Sequence, residues 1–242
     1  MDYIRFLSDS FDYTKEALWG RWIRWLLLLV SVVIFPLIYG YTVRVMSGTK
    51  PAPELEGWIG LFVDGIKLIV ITIVYAIPVW VLAIVGLAAY FIPVSTTTTP
   101  GVCLATQQCI RCAYLIPVST TTIPGSSPET GIFVLLALLI VFIIFAVVIG
   151  ILSTFAMVRF ARTGRMGEAF RVRALVAHIG EIGWLNVFIA LVVLTVVLAI
   201  VELVLVLVPL IGVPLLLLLT PAFIIFAYRY IALIYESAPA PA

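Results

Sequence analysis

Cys103, Cys109 and Cys112 are the residues of this chain whose type and spacing stand nearest to chemistry. Their Cys-x5-Cys-x2-Cys run has the look of a metal site. A closed tetrahedral site takes four ligands, however, and the one histidine, His178, lies far along the chain beyond a long apolar run. In an oxidising compartment two of the thiols would pair and leave one spare, or a thiol would bridge to another chain; three free thiols are the remaining reading. Glu202 is the one carboxylate well inside an apolar run. An ionisable group at membrane depth is costly and points by default to function, here a proton relay or transport. The plainer reading is a protonated carboxyl bonded to a neighbouring helix or close to the membrane boundary, with Asn186 and Thr195 on the same run as packing groups. Arg159, Arg162, Arg165, Arg171 and Arg173 form the densest basic cluster. They suit docking to anionic lipid or to a partner, or serve only to set topology. His178, in the same stretch, reads as an interfacial polar residue. There is no phosphate-cradling Gly-x-x-x-x-Gly-Lys, no His-Glu-x-x-His and no nucleophile beside a base, so neither an enzyme nor a cofactor is expected.

The elements that must position these residues follow from composition. Of 242 residues, 64% are hydrophobic and only 11% charged, with a mean hydropathy of +1.26; soluble domains run near 45–50% and about 25%. Residues 68–94, 131–158 and 183–208 are apolar runs, each longer than the roughly 20 residues that cross a hydrocarbon core of about 30 Å. Lipid offers the backbone no partner, so such runs must be helices; they lack the alternation that a transmembrane β-barrel imposes. The expected fold is all-α, a polytopic transmembrane helical bundle of about five or six membrane segments. A net charge of +2 gives no general attraction to nucleic acid.

Residues 1–20 read as an amphipathic interfacial segment, with Tyr3, Ile4, Phe6, Leu7, Phe11, Ala17 and Leu18 among charges and a break near 9–12. Asp2, Asp9, Asp12 and Glu16 make it unlike a cleaved signal peptide. Trp19, Trp22 and Trp25, interleaved with Arg21 and Arg24, mark a headgroup boundary. Residues 21–94 hold the first membrane segments. Within them 26–45, interrupted by Pro36 and closed by Arg44, is either one span or, by preference, a Pro-bent hairpin that keeps the three arginines on one side. Residues 48–67 form an interfacial connection, and Pro78 should kink the run that follows.

Residues 95–130 form an insert rich in Thr, Pro and Cys, flanked and filled by a duplicated decapeptide: Ile-Pro-Val-Ser-Thr-Thr-Thr-Thr-Pro-Gly from Ile92 and Ile-Pro-Val-Ser-Thr-Thr-Thr-Ile-Pro-Gly from Ile116. Threonine runs favour strands, so the two copies are expected to pair as a small β-hairpin, with an irregular loop as the alternative. Residues 131–235 carry the remaining transmembrane helices. Between them lies a basic amphipathic segment, 159–182, with Ala169, Phe170, Leu175, Val176 and Ile179 as its apolar set. The Pro/Gly run 209–214 reads as a tight reversal, and 236–242 as a Pro/Ala tail. The positive-inside bias puts the basic segment in the cytoplasm, hence the insert outside and the C-terminus, with Arg229, inside.

The start Met1-Asp-Tyr, the stretch Gly40-Tyr-Thr-Val-Arg44, the segment Pro53-Glu-Leu-Glu-Gly-Trp-Ile-Gly-Leu-Phe-Val-Asp-Gly-Ile-Lys67 and Gly167-Glu-Ala-Phe170 resemble the mainly archaeal family called domain of unknown function 4013. The Trp-x3-Phe-x-Asp-Gly-Ile-Lys element is the specific part. The resemblance covers most of the chain outside the insert and implies an archaeal cytoplasmic membrane and a multi-span bundle, with no catalytic residues to carry over; the Cys-bearing insert departs from the family pattern. The leading expectation is a non-enzymatic accessory or scaffold protein whose partners are membrane lipids and other membrane chains, in a homo- or hetero-oligomer. The alternative is a transporter or lipid flippase that uses Glu202 and the helices broken at Pro36 and Pro78.

Overall fold

The computed structural model describes residues 2–49, 53, 57–91, 128–208 and 211–238. Every regular element among them is an α-helix: α1 (Tyr3–Leu18), α2 (Trp22–Val33), α3 (Phe35–Met46), α4 (Trp58–Phe91), α5 (Pro128–Thr163), α6 (Met166–Ala169), α7 (Val172–Ile182), α8 (Trp184–Val206) and α9 (Gly212–Glu236). The chain divides into two compact units. One holds Met1–Pro78 with Val147–Ala242, and the other holds Val79–Ala146. The second unit comprises the latter part of α4 and the first part of α5, and presents large apolar side chains such as Trp80, Ile84, Leu138 and Ile144 on its surface.

Among the described residues four helical stretches are long and apolar enough to cross a membrane: Trp58–Leu87, Leu136–Thr163, Trp184–Val206 and Gly212–Glu236. The chain is therefore a multi-pass membrane protein. This corrects the expected count of five or six segments. In the run 26–45 neither α2 nor α3, with 12 residues each and about 18 Å at 1.5 Å per residue, is long enough to cross, and of the two readings the broken pair is the one found. They are broken at Ile34 (φ −93°, ψ 84°), and Pro36 sits in the first turn of α3, where its missing N–H removes no helical bond. The expected β-hairpin is likewise corrected. No strand occurs among the described residues, and 92–127, where it was placed, lies outside them. Residues 128–130, assigned to the insert, are instead the first turn of α5. The connection drawn over 48–67 is also shorter than expected, because α4 is already helical from Trp58. Pro214 belongs to the first turn of α9 rather than to the reversal before it.

Helix α1 runs unbroken where a break near 9–12 was expected. It buries Ser10, Tyr13, Thr14, Ala17 and Leu18, the i, i+3, i+4, i+7, i+8 stripe of an amphipathic helix. That stripe packs mainly on α9. The hydroxyls of buried Ser10 and Thr14 are satisfied within the helix, Ser10 Oγ donating to Phe6 O (2.7 Å) and Thr14 Oγ1 to Ser10 O (2.8 Å). Helix α9 is the hub of this unit and touches α1, α2, α3 and α8. Accordingly 39% of its most apolar window is buried, against 11% for α8.

Between membrane helices the apolar surroundings supply little drive to associate, so close backbone approach matters. Helices α3 and α4 meet this way. A Cβ on Gly40 would lie 1.8 Å from Leu61 O, and one on Gly65 would lie 1.8 Å from Pro36 O. Nothing larger than glycine fits either position. Gly183, at φ +95°, is the single residue between α7 and α8, and turns the chain from the short amphipathic helix into a membrane-length one.

Candidate functional site

Ion pairs in the first unit join the end of α5 to α6, the start of α7 and the end of α9, and a further charged side chain is buried within α9. Arg229, on α9, is the most unusual of them. Only 3% of it is exposed, although it lies within a membrane-length helix. Its guanidinium carbon stands 4.9 Å from the centre of the Tyr13 ring. Its Nε and Nη1 are buried without a hydrogen-bond partner, and so is the Oη of Tyr41 on α3. Tyr13 Oη donates to Thr49 O at 3.3 Å. Burial raises the Tyr13 phenol, against the opposing pull of Arg229 and Arg24, and burial pushes the Tyr41 phenol up to about 12. Both phenols are thus neutral at physiological pH and offer Arg229 no counter-charge. A guanidinium taken out of water costs several kcal/mol without an anion; a ring face returns about 0.5–2 kcal/mol. Among the described residues no carboxylate forms an ion pair with Arg229.

The basic cluster resolves into different roles. Arg159 Nη2 donates to Glu168 Oε2 (2.9 Å), and Arg171 Nη1 pairs with Glu168 Oε1 (2.9 Å), so one carboxylate ties the end of α5 to the start of α7. The hydrogen bond from Arg159, then the charges of Arg171, Arg159 and Arg165, outweigh desolvation and hold the Glu168 carboxyl below the usual carboxylate range. Arg162 pairs with Glu236 and lies 5.3 Å over the Tyr235 ring, tying α5 to the end of α9. Arg165 and Arg173 point outward. His178 packs against Tyr235 at 4.2 Å between ring centres, with Nε2 3.1 Å from Tyr235 O and Nδ1 4.0 Å from Glu181 Oε2. From α4, Tyr75 Oη donates to Ala169 O (2.7 Å) and its ring stacks on Phe170 at 6.1 Å. Of the apolar set read from the sequence, Ala169, Leu175 and Ile179 are buried, whereas Phe170 and Val176 are partly out; Ile182 completes the buried side of α7.

Glu202 is exposed on α8, one turn from its end. Thr195 is exposed two turns earlier on the same face, its Oγ1 donating to Leu191 O (2.9 Å). Asn186 bonds back to Ile182 O (3.0 Å), at the junction with α7. Cys103, Cys109 and Cys112 lie outside the described residues, as does the duplicated decapeptide. No group of three or more His, Cys, Asp or Glu placed to hold a metal occurs among the described residues. The sequence reading missed Arg229 with Tyr13 and Tyr41. The signal was available in Arg229 itself, an ionisable residue in the apolar stretch 221–235, to which the logic applied to Glu202 applies equally.

With four membrane-length helices, a broken α2–α3 pair and the Gly65 crossing in place, the class is a multi-pass helical membrane protein. The chain belongs to the family described as "Protein of unknown function (DUF4013)", whose pattern matches residues 24–210. No curated protein and no solved structure matches the chain. Helices α1 and α9, which carry Tyr13 and Arg229, lie outside the matched stretch.

Proposed function

We propose that this protein is a non-enzymatic accessory or scaffold subunit that docks to other membrane chains, with the basic end in the cytoplasm, the insert outside, and an archaeal cytoplasmic membrane as the setting that the family resemblance implies. The observation that carries the reading is the outward face of α8. Glu202 and Thr195, seven residues apart, share one exposed stripe with Phe188, Val192, Ala199 and Val206. A carboxylate turned away from its own chain costs about 2.5–3.5 kcal/mol at the helix centre, less toward the boundary. A neighbouring helix that offers a donor lowers that cost, and Thr195 adds a second polar contact along the same seam. The outward arginines Arg165 and Arg173 supply lipid or partner contacts at the basic end.

Transport is the competing reading, and the exposure of Glu202 bears on it. The carboxylate faces away from the single chain, so a pathway through Glu202 has to run between chains. Glu202→Gln in proteoliposomes separates the two readings. The scaffold reading predicts unchanged proton and solute flux together with weakened association, scored by cysteine crosslinking along α8. Loss of coupled flux on this substitution would overturn it.

A further inference from the structure

We infer that Arg229, with Tyr41 and Tyr13, forms a binding site for a phosphate-bearing anion at the junction of α1, α3 and α9. The starting point is an imbalance. Arg229 is 3% exposed, its Nε and Nη1 have no acceptor, and Tyr41 Oη, whose ring lies in the same apolar cluster as Tyr13, has none either. Three donors on two helices are therefore withdrawn from water with nothing to receive them. Buried polar groups are otherwise almost always satisfied, and each exception calls for a ligand or a physical reason. The Tyr13 ring covers the guanidinium at 4.9 Å, which accommodates the charge without neutralising it.

The missing partner must be an acceptor and an anion, since all three free groups donate and one carries charge. Arginine combined with hydroxyl donors is the pairing that suits phosphate oxygens. The wider field agrees. Tyr13 feels the charges of Arg229, Glu16 and Arg24, and Tyr41 those of Arg24 and Arg44. Arg24 and Arg44 have interactions of their own and contribute here only as charge. Basic junctions between membrane helices are where phospholipid headgroups bind; inorganic phosphate would satisfy the same donors. Tyr13 sits on α1, an element outside the membrane-length helices, and its ring lies over the guanidinium.

The test uses the full chain in nanodiscs. Native mass spectrometry and thermal unfolding are compared in phosphatidylcholine alone, in phosphatidylcholine with phosphatidylglycerol, and in phosphatidylcholine with added inorganic phosphate. The wild-type chain should retain bound phosphatidylglycerol or phosphate and unfold at a higher temperature with it. Retention of the lipid alone identifies a headgroup site, and an equal response to phosphate identifies a soluble anion. Arg229→Gln should abolish the response, and Tyr41→Phe should weaken binding by up to about tenfold, the loss of one hydrogen bond. If Arg229→Gln does not fold, the wild-type and Tyr41→Phe measurements decide alone. A wild-type chain that retains neither anion, or a response that Arg229→Gln or Tyr41→Phe leaves unchanged, overturns the proposal.

Discussion

Glu168 shows how one carboxylate can organise the end of a membrane bundle. It accepts from Arg159 on α5 and Arg171 beside α7, and these contacts hold its carboxyl below the ordinary value of 4.5. A depressed carboxylate stabilises the fold at pH values above its unfolded value, and that contribution fades as the pH falls through the lower folded one. Glu168→Gln should therefore lower the unfolding temperature in detergent at neutral pH, and the gap from the wild-type chain should close as the pH drops below 4.5. An unchanged gap across that range would assign the stabilisation to something other than this carboxylate. The residue scale is also where the sequence was least legible. Glu202 and Arg229 look alike in the chain, each a lone charge among Val, Leu, Ile and Tyr. One faces outward and the other is sealed inside. That difference is set by which face of each helix packs on its neighbours, and helices α8 and α9 are too uniformly apolar for periodicity to reveal a buried face.

At the scale of elements, proline and glycine were legible as punctuation, while their roles depended on neighbours. Pro36 did mark an interruption, at the start of α3, and Pro78 sits inside a helix that continues through it. Gly40 and Gly65 show their purpose only across the α3–α4 contact, which no single run can show. Gly40→Val should cost at least the 1–3 kcal/mol of ordinary overpacking, because the clash is with backbone. Gly60→Ala, on the same α4 with open space around it, should be neutral or gain up to about 1 kcal/mol from helix propensity. Unfolding in mild detergent measures both, and equal effects would refute the crossing. The amphipathic pattern of α1 was likewise visible; the face with Tyr13, Ala17 and Leu18 is buried and α1 packs mainly on α9, while Ile4 and Phe11 stay exposed.

For the whole molecule, the long spans were legible from run length alone, since hydrocarbon thickness sets helix length directly. The count changed where a run was apolar enough but broken, in α2 and α3. The proposed orientation predicts that a membrane-impermeant maleimide labels the native insert cysteines, Cys103, Cys109 and Cys112, in intact cells after reduction. A cysteine placed at Arg173 in a cysteine-free background should label only once the membrane is opened. The reverse pattern would invert the topology. The central claim, that this is a docking subunit, meets its most direct test in the mass of the particle extracted with its own lipids, without detergent. The account predicts a particle of more than one chain that Glu202→Leu shifts toward a single copy. A strictly monomeric particle of 26.6 kDa protein mass, with no co-purifying chain, would contradict it.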